Sequence, residues 1–137
     1  MTIRAYAPDD FPLVEQWAKA RNMAVIPQIL GPRGFIVEDE LGPVAVAFVY
    51  LTFEVPVAFV DNLFTRPGTS MKKCREAWPI LWRTIQAYLA NLRDCNGDAL
   101  NYNVVRIFCR SPLARFIGSD WVTSDHDYKQ SVFLRHG

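Results

Sequence analysis

The spacing of apolar residues along the chain predicts a succession of short strands and two longer helices. Apolar residues that alternate with polar ones predict strands, because successive side chains of a strand point to opposite faces. Apolar residues three and four positions apart predict helices that bury one face. On these criteria we predict strands at 2–6, 34–39, 44–53, 57–64, 99–108, 121–123 and 128–134. We predict helices at 11–21, 70–93 and 112–116, and one helical turn within a loop at 26–30.

Two segments determine how these elements are expected to assemble. Positions 44–53 are almost wholly apolar, which is typical of a central strand covered on both faces. The strand at 57–64 is followed by the long helix and then by the strand at 99–108, which predicts a parallel, right-handed crossover. The short connections elsewhere predict antiparallel neighbours. The predicted fold class is therefore α/β in the α+β sense, a mixed, mostly antiparallel sheet of six to seven strands with helices on both faces.

A proline lies inside the predicted long helix, at Pro79. Proline lacks the N–H that would bond to the carbonyl of Arg75, and its ring clashes with that carbonyl. We therefore expect the helix to bend at Pro79, or its first turns to detach from the rest.

Composition and charge narrow the class of protein. Half of the 137 residues are hydrophobic and 21% are charged, which is typical of a globular protein and argues against disorder. The length predicts a single domain over residues 1–137. A formal net charge of +1 argues against a broad nucleic-acid-binding surface.

The chain also lacks the patterns of metal sites and of membrane or export segments. Its three cysteines and two histidines are too few and too scattered for a Cys/His metal cluster, so we expect no metal. No apolar run reaches the ~20 residues that cross a membrane, and the N-terminus lacks the apolar core of a signal peptide. We expect a cytoplasmic protein with reduced thiols.

Three short motifs, in this order, resemble the GCN5-related N-acetyltransferase (GNAT) superfamily over nearly the whole chain. The opening TIRAYAPDDFPLVEQWA is similar to the family's first strand and helix, VDNLFTRP at 60–67 to its fourth strand, and GSDW at 118–121 to the segment before its last strands. The resemblance implies a GNAT fold and an acetyl-CoA-dependent N-acetyltransferase that acts on a primary amine of a small molecule or a protein. Short, divergent chains of this kind also resemble bacteriophage proteins, and this resemblance implies an action on a host protein.

The resemblance implies where acetyl-CoA would bind. In the family the fourth strand parts from the fifth, the pantetheine arm enters the opening, and backbone N–H groups beyond the fourth strand hold the pyrophosphate. We expect this opening near Asn62 and Asn101. The family's glycine-rich signature is replaced here by Ser70, Lys73 and Arg75, so either basic side chains supply the charge or the site is lost. The implied cofactor-binding residues are Leu63, Phe64, Thr65, Ser70, Met71, Lys72, Lys73, Cys74 and Arg75.

Two carboxylates are candidates for the general base that takes a proton from the amine. Asp61 stands at the family's acidic position in the fourth strand, and Glu54 lies near the end of the preceding strand. The alternative for Asp61 is a hydrogen-bonded, structural carboxylate. The family's usual acid, a tyrosine that protonates the leaving thiolate, is replaced by Phe116, so Tyr102 or Tyr128 would have to act instead.

Two functions are compatible with these patterns. One is the acetyltransferase, and the other is a catalytically inactive GNAT-fold module that binds a protein partner. The abundance of aromatic residues predicts exposed apolar surface and a two-fold homodimer. The loop at 22–34 is expected to line the acceptor side of an active enzyme, with Arg33 as its distinctive charge.

Overall fold

The computed structural model describes residues 1–109, 122–126 and 131–136. Within these residues seven strands form one sheet, in the order β1-β2-β3-β4-β5-β7-β6. The strands are β1 (Thr2–Ala5), β2 (Arg33–Asp39), β3 (Gly42–Leu51), β4 (Val57–Thr65), β5 (Val104–Cys109), β6 (Val122–His126) and β7 (Ser131–His136). The helices are α1 (Phe11–Lys19) and α2 (Met71–Ala90), with 3-10 turns at Pro8–Asp10 and Pro27–Ile29.

The direction of the strands confirms the predicted sheet. β4 and β5 are parallel, and α2 connects them. Every other neighbouring pair is antiparallel. The sheet is thus mixed and mostly antiparallel, with one crossover.

Each face of the sheet has its own hydrophobic core. On one face, Leu81 and Ile85 of α2 pack against apolar residues of β3, β4 and β5. On the other face, Val14 and Trp17 of α1 pack against Phe48 and neighbouring residues. Positions 44–49 of β3 are all buried, because this strand contributes to both cores. The prediction of a central strand covered on both faces, with helices on both sides of the sheet, is confirmed.

The long helix is continuous at Pro79, where the sequence predicted a bend or a detachment of the first turns. α2 runs continuously through Pro79, and Pro79 itself is exposed. The predicted detachment of the first turns is therefore wrong. Ala77, Trp78 and Leu81 are buried against the sheet on either side of Pro79, and this packing holds both parts of the helix in place.

Two strand predictions also differ from the structure. β5 begins at Val104, five residues later than predicted, and Asn101 just before it has a left-handed φ of 56° that extended chain does not adopt. His126, predicted as a turn residue, lies in β6. The helix predicted at 112–116, the GSDW motif at 118–121, and the residues Phe116 and Tyr128 fall outside the described residues.

Candidate functional site

The sheet opens between its two parallel strands. β4 pairs with β5 over four residues on each strand, from Val57 opposite Val104 to Val60 opposite Ile107. The rest of β4, residues 61–65, has no partner on its β5 side within the described part of the chain. The prediction of an opening near Asn62 is confirmed, but its predicted partner Asn101 is wrong, because Asn101 precedes β5 and lies at the opposite, closed end.

A bulge marks the point where β4 leaves β5. Between Phe48 opposite Asp61 and Val46 opposite Phe64, β4 holds one residue more than β3. Asn62 takes up this extra residue with a left-handed φ of 52°, a conformation that asparagine tolerates better than most residues. Its side-chain amide donates a hydrogen bond of 2.7 Å to Tyr50 Oη.

Asp61 lies at this bulge, on the face of the sheet that carries α1. Ala58 and Val60 belong to the core under α2, so the alternation of the strand places Asp61 on the other face. Burial raises the pKa of the half-buried Asp61 carboxyl, and the backbone N–H of Asn62, which donates to Asp61 Oδ1 at 2.7 Å, opposes that rise. A carboxylate with a raised pKa at a sheet opening has the properties of a general base.

Glu54 and Tyr102 lie at the other end of the sheet. Glu54 is exposed in the loop between β3 and β4, and from Val57 the strand runs about 13 Å before it reaches Asp61. The structure therefore does not bring the two predicted carboxylates together. Tyr102 Oη donates a hydrogen bond of 2.7 Å to the carbonyl of Thr52 at that same end, which separates it from the opening.

Tyr50 ties the loop at 22–32 to the bulge. Its hydroxyl accepts from Asn62 and donates to the carbonyl of Ile29 at 2.9 Å, and burial raises the pKa of this hydroxyl, which keeps it protonated as a donor. Gly31 lies against the same ring: a Cβ at this position would come within 3.1 Å of Tyr50 Cε1. The loop expected to line the acceptor side is thus fixed over the α1 face of β3, beside Asp61.

A cation and two aromatic rings lie on the same face of the sheet as Asp61. Phe59 of β4 and Phe108 of β5 stack with their ring centroids 5.6 Å apart. The guanidinium carbon of Arg106 lies 5.9 Å from the Phe59 centroid and 5.5 Å from the Phe108 centroid. Sequence reasoning missed Arg106, although its place between Val105 and Ile107 in an alternating strand was a signal that it leaves the core.

The segment between β4 and α2 presents a helix N-terminus at the open end of the sheet. Thr69 N donates to the carbonyl of Arg66 at 3.0 Å, and Gly68 has a φ of 80°, which together describe a type II turn. Ser70 caps the helix, since its hydroxyl accepts a bond of 3.2 Å from the backbone N–H of Lys73. Met71 and Lys72 follow with exposed side chains, and their N–H groups are among those that a helix cannot bond internally.

An acidic residue holds two of the cations in this segment. Asp39, whose side chain is only 2% exposed, accepts two bonds from the Arg66 guanidinium, at 3.1 and 3.3 Å, and a third from Lys73 Nζ. These partners, Arg66 first, lower the pKa of the Asp39 carboxyl well below its usual range. The structure thus commits Lys73, a predicted phosphate ligand, to an ion pair with the end of β2.

The other predicted cofactor residues are divided between the two cores and the surface. Leu63 packs against the core under α2, whereas Phe64 is buried on the α1 face. Thr65 Oγ1 accepts a bond of 2.5 Å from the guanidinium of Arg21, which joins the end of β4 to the end of α1. Arg75 is exposed on α2, and Cys74 is half-buried beside it.

Comparison with known proteins gives a uniform result for the fold. No family model matches the sequence, and no curated protein matches it by sequence search. Solved structures match over nearly the whole chain. FeeM, an N-acyl amino acid synthase from uncultured soil microbes, has a TM-score of 0.67 at 10% identity, and the match covers 98% of this chain and 90% of that one.

Two further enzymes align in the same way. The ribosomal-protein-S18-alanine N-acetyltransferase from Escherichia coli has a TM-score of 0.64 at 12% identity, over 97% of this chain and 90% of that one. N-acetylglutamate synthase from Neisseria gonorrhoeae, in complex with coenzyme A and L-arginine, has a TM-score of 0.65 at 11% identity, over 98% of this chain. The chain has the GNAT fold. It spans only 32% of the length of the N-acetylglutamate synthase chain.

Two further observations concern the described residues of this GNAT-fold protein. They contain no group of three or more His, Cys, Asp or Glu side chains that could hold a metal ion. No helix among them is both long and apolar enough to cross a membrane.

Proposed function

We propose that the chain is an acyl-CoA-dependent N-acyltransferase that transfers an acetyl group from acetyl-CoA to a primary amine of a small molecule or a protein. The observation that carries this proposal is the separation of β4 from β5 after Val60 and Ile107. It leaves residues 61–65 of β4 with a free edge inside a sheet that is otherwise paired.

A free strand edge suits the pantetheine arm of acetyl-CoA. Such an edge presents backbone N–H and C=O groups in a row, and an extended chain with amide groups of its own can pair with them. The pantetheine arm is a chain of this kind, and it ends in the thioester. The backbone of Leu63, Phe64 and Thr65 would align the arm and bring the thioester carbonyl toward Asp61.

The start of α2 suits the pyrophosphate. The N–H groups of Met71 and Lys72 and the helix dipole favour a phosphate at this position, and the exposed Lys72 side chain adds a positive charge. Because Asp39 holds Lys73 and Arg66, we assign these two cations to shaping the loop rather than to contacting phosphate.

Asp61 would act as the general base of the transfer. The carboxylate takes a proton from the ammonium group of the acceptor, and the freed nitrogen attacks the thioester carbonyl. A C–N bond forms and the C–S bond breaks, so that the acetyl group moves to the amine. The sulfur leaves as a thiolate, which takes up, directly or through water, the second proton that the nitrogen loses as the amide forms.

Thermal melting and thiol release test this proposal together. Acetyl-CoA at 100 times its dissociation constant should stabilise the folded protein by about 2.7 kcal/mol, which raises the melting midpoint. A panel of amines should then release free thiol in the presence of the protein. A midpoint that acetyl-CoA leaves unchanged, at concentrations up to the millimolar range, would contradict the proposal.

The alternative function is a catalytically inactive module that binds a protein partner, and one observation favours it. The loop between β3 and β4 carries Phe53 with its side chain fully exposed and Val55 at 54% exposure. Contiguous exposed apolar surface marks protein contact sites, and these two side chains lie two positions apart in one loop. If the wild-type protein does not bind acetyl-CoA, and Phe53→Ser abolishes a dimer seen by light scattering, this alternative replaces the first.

A further inference from the structure

The cations of the described residues differ in their partners. Arg66 and Lys73 are held by Asp39, and Arg4 is held by Asp10 and Glu38. Arg106 is half-buried, yet no carboxylate among the described residues pairs with it, and its guanidinium lies against the rings of Phe59 and Phe108. A half-buried guanidinium stacked on aromatic rings keeps its N–H groups in a fixed plane, ready to bind a carboxylate with two parallel bonds.

The register of the strands places this guanidinium on the same face of the sheet as the proposed base. Arg106 lies opposite Phe59, and Asp61 is two residues further along β4 on the same face. Two residues of a strand span about 6.6 Å and paired strands lie about 4.8 Å apart, so the two backbone positions are separated by roughly 8 Å or more where the strands part. A cation and a carboxylate with this spacing, both facing the side of the sheet that Tyr50 and the loop at 22–32 border, are suited to the two ends of one short zwitterion.

On the basis of the proposed function, we propose that the acceptor is an amino acid, whose carboxylate binds Arg106 while its amine faces Asp61. The stacked rings of Phe59 and Phe108 form an apolar wall beside this position. The Asp61 carboxylate attracts the acceptor's ammonium group and repels its carboxylate, whereas Arg106 does the reverse, so the pair sets the orientation of the acceptor as well as its class.

Binding is the first test, since it does not require turnover. Free L-amino acids and the matching amino acid amides, which keep the amine but lack the carboxylate, are titrated calorimetrically into the protein with and without coenzyme A. A charge-assisted pair with a guanidinium predicts that at least one amino acid binds about tenfold or more tightly than its amide. Equal affinity across every pair overturns the inference.

Variants then assign the preference to Arg106. Arg106→Gln should remove the difference between acid and amide, and Arg106→Lys should restore part of it, because it keeps the charge but loses the planar fork. Arg83→Gln, an exposed position on α2, serves as the matched control and should retain the full preference. If Arg106→Gln keeps the preference, the carboxylate is bound elsewhere and the inference fails.

Kinetics separate this inference from the proposed function. In Arg106→Gln the KM for the preferred amino acid should rise about tenfold or more, while the KM for acetyl-CoA stays near the wild-type value. Acetyl-CoA binding with thiol release that favours amides over acids would leave the proposed function intact and overturn the acceptor class. Amino acid binding that depends on Arg106, without any acetyl-CoA binding, would support the amino acid site and overturn the proposed function.

Discussion

The two halves of β4 differ in their pairing, their burial and their backbone conformation. Residues 58–60 pair with strands on both sides, and Ala58 and Val60 are fully buried. Residues 61–65 pair on one side only, begin with a carboxylate and a left-handed asparagine, and border the opening. The first half holds the sheet together and the second is available to a ligand. One part of a strand can therefore serve stability and another part binding. Substitutions before residue 61 of β4 should affect mainly the free energy of unfolding, and substitutions after residue 60 should affect mainly binding.

The largest effect is expected for Asp61→Asn in the second half. The amide cannot accept the amine's proton, so kcat/KM for the acceptor should fall about 10²–10⁴-fold. If the proposed transfer takes place, kcat/KM of the wild-type protein should fall as the pH drops through the Asp61 pKa, which burial places above the ordinary value of 3.8. Steady-state thiol release between pH 4 and 9 measures both effects, and a loss below tenfold would remove Asp61 from the mechanism.

The same variant should not be less stable at neutral pH. A carboxyl whose pKa is raised on folding stabilises the protein below its unfolded pKa, and this contribution is lost as the pH rises through the folded pKa. At pH 7 the ionised Asp61 is therefore a cost that Asn removes, so the melting midpoint of Asp61→Asn should equal or exceed that of the wild type. A clearly lower midpoint at pH 7 would show that Asp61 is a structural residue.

The next effect belongs to the strand that pairs with the first half of β4. Substitution of Ile107 by alanine should lower the unfolding free energy by about 2–5 kcal/mol, because Ile107 is fully buried and is the last residue of β5 to pair with β4, opposite Val60. Leu63, which faces the same core but lies beyond the bulge and is only partly buried, should lose less than about 2 kcal/mol on the same change. Urea denaturation measures both. Equal losses would mean that the two halves do not differ in their contribution to stability.

A smaller effect is expected where the open half meets the loop at 22–32. Tyr50→Phe removes a hydroxyl that accepts from Asn62 and donates to Ile29, which should cost about 1 kcal/mol of unfolding free energy. The KM for the acceptor should rise as well, since the loop loses its attachment to the bulge. Tyr88→Phe, whose ring packs edge-on against Phe35, is the control and should change neither quantity.

The smallest effect lies just beyond the end of β4. Lys72→Ala should weaken acetyl-CoA binding about three- to fivefold, as expected for one exposed charge, and leave the melting midpoint unchanged. Lys73→Ala should lower the melting midpoint and leave acetyl-CoA binding unchanged, because it breaks the contact with Asp39. Calorimetric titration and thermal melting of both variants distinguish the two lysines. If Lys73→Ala weakens acetyl-CoA binding and Lys72→Ala does not, Lys73 is the phosphate ligand.

The sequence predicted the architecture well because the fold depends on local patterns. Alternation predicted β4 to within one residue of its end, and the apolar run in β3 correctly indicated burial on both faces. The start of β5 was predicted too early. Asn101 has a left-handed conformation that interrupts the extended chain, although apolar and polar residues still alternate there.

The site was only partly predictable, because it depends on contacts between distant residues. Asp61 and the start of α2 were indicated by their motif, but the hold of Asp39 on Lys73 joins residues 34 positions apart. Arg106 and Phe59 come together only through the parallel register of β4 and β5, which no local pattern reveals.

The extra residue at Asn62 also constrains how the chain can change over time. Val60 and Leu63 are three positions apart and yet both face α2, so the two ends of β4 follow opposite parity. Removing Asn62 would restore regular alternation and leave Leu63 facing α2 and Phe64 facing α1, so the extra residue does not decide which core each side chain enters. Its effect is instead on the backbone, because a bulge bends the strand at the point where β4 leaves β5. A chain shortened by this one residue is therefore expected to keep both cores and to lose the aperture.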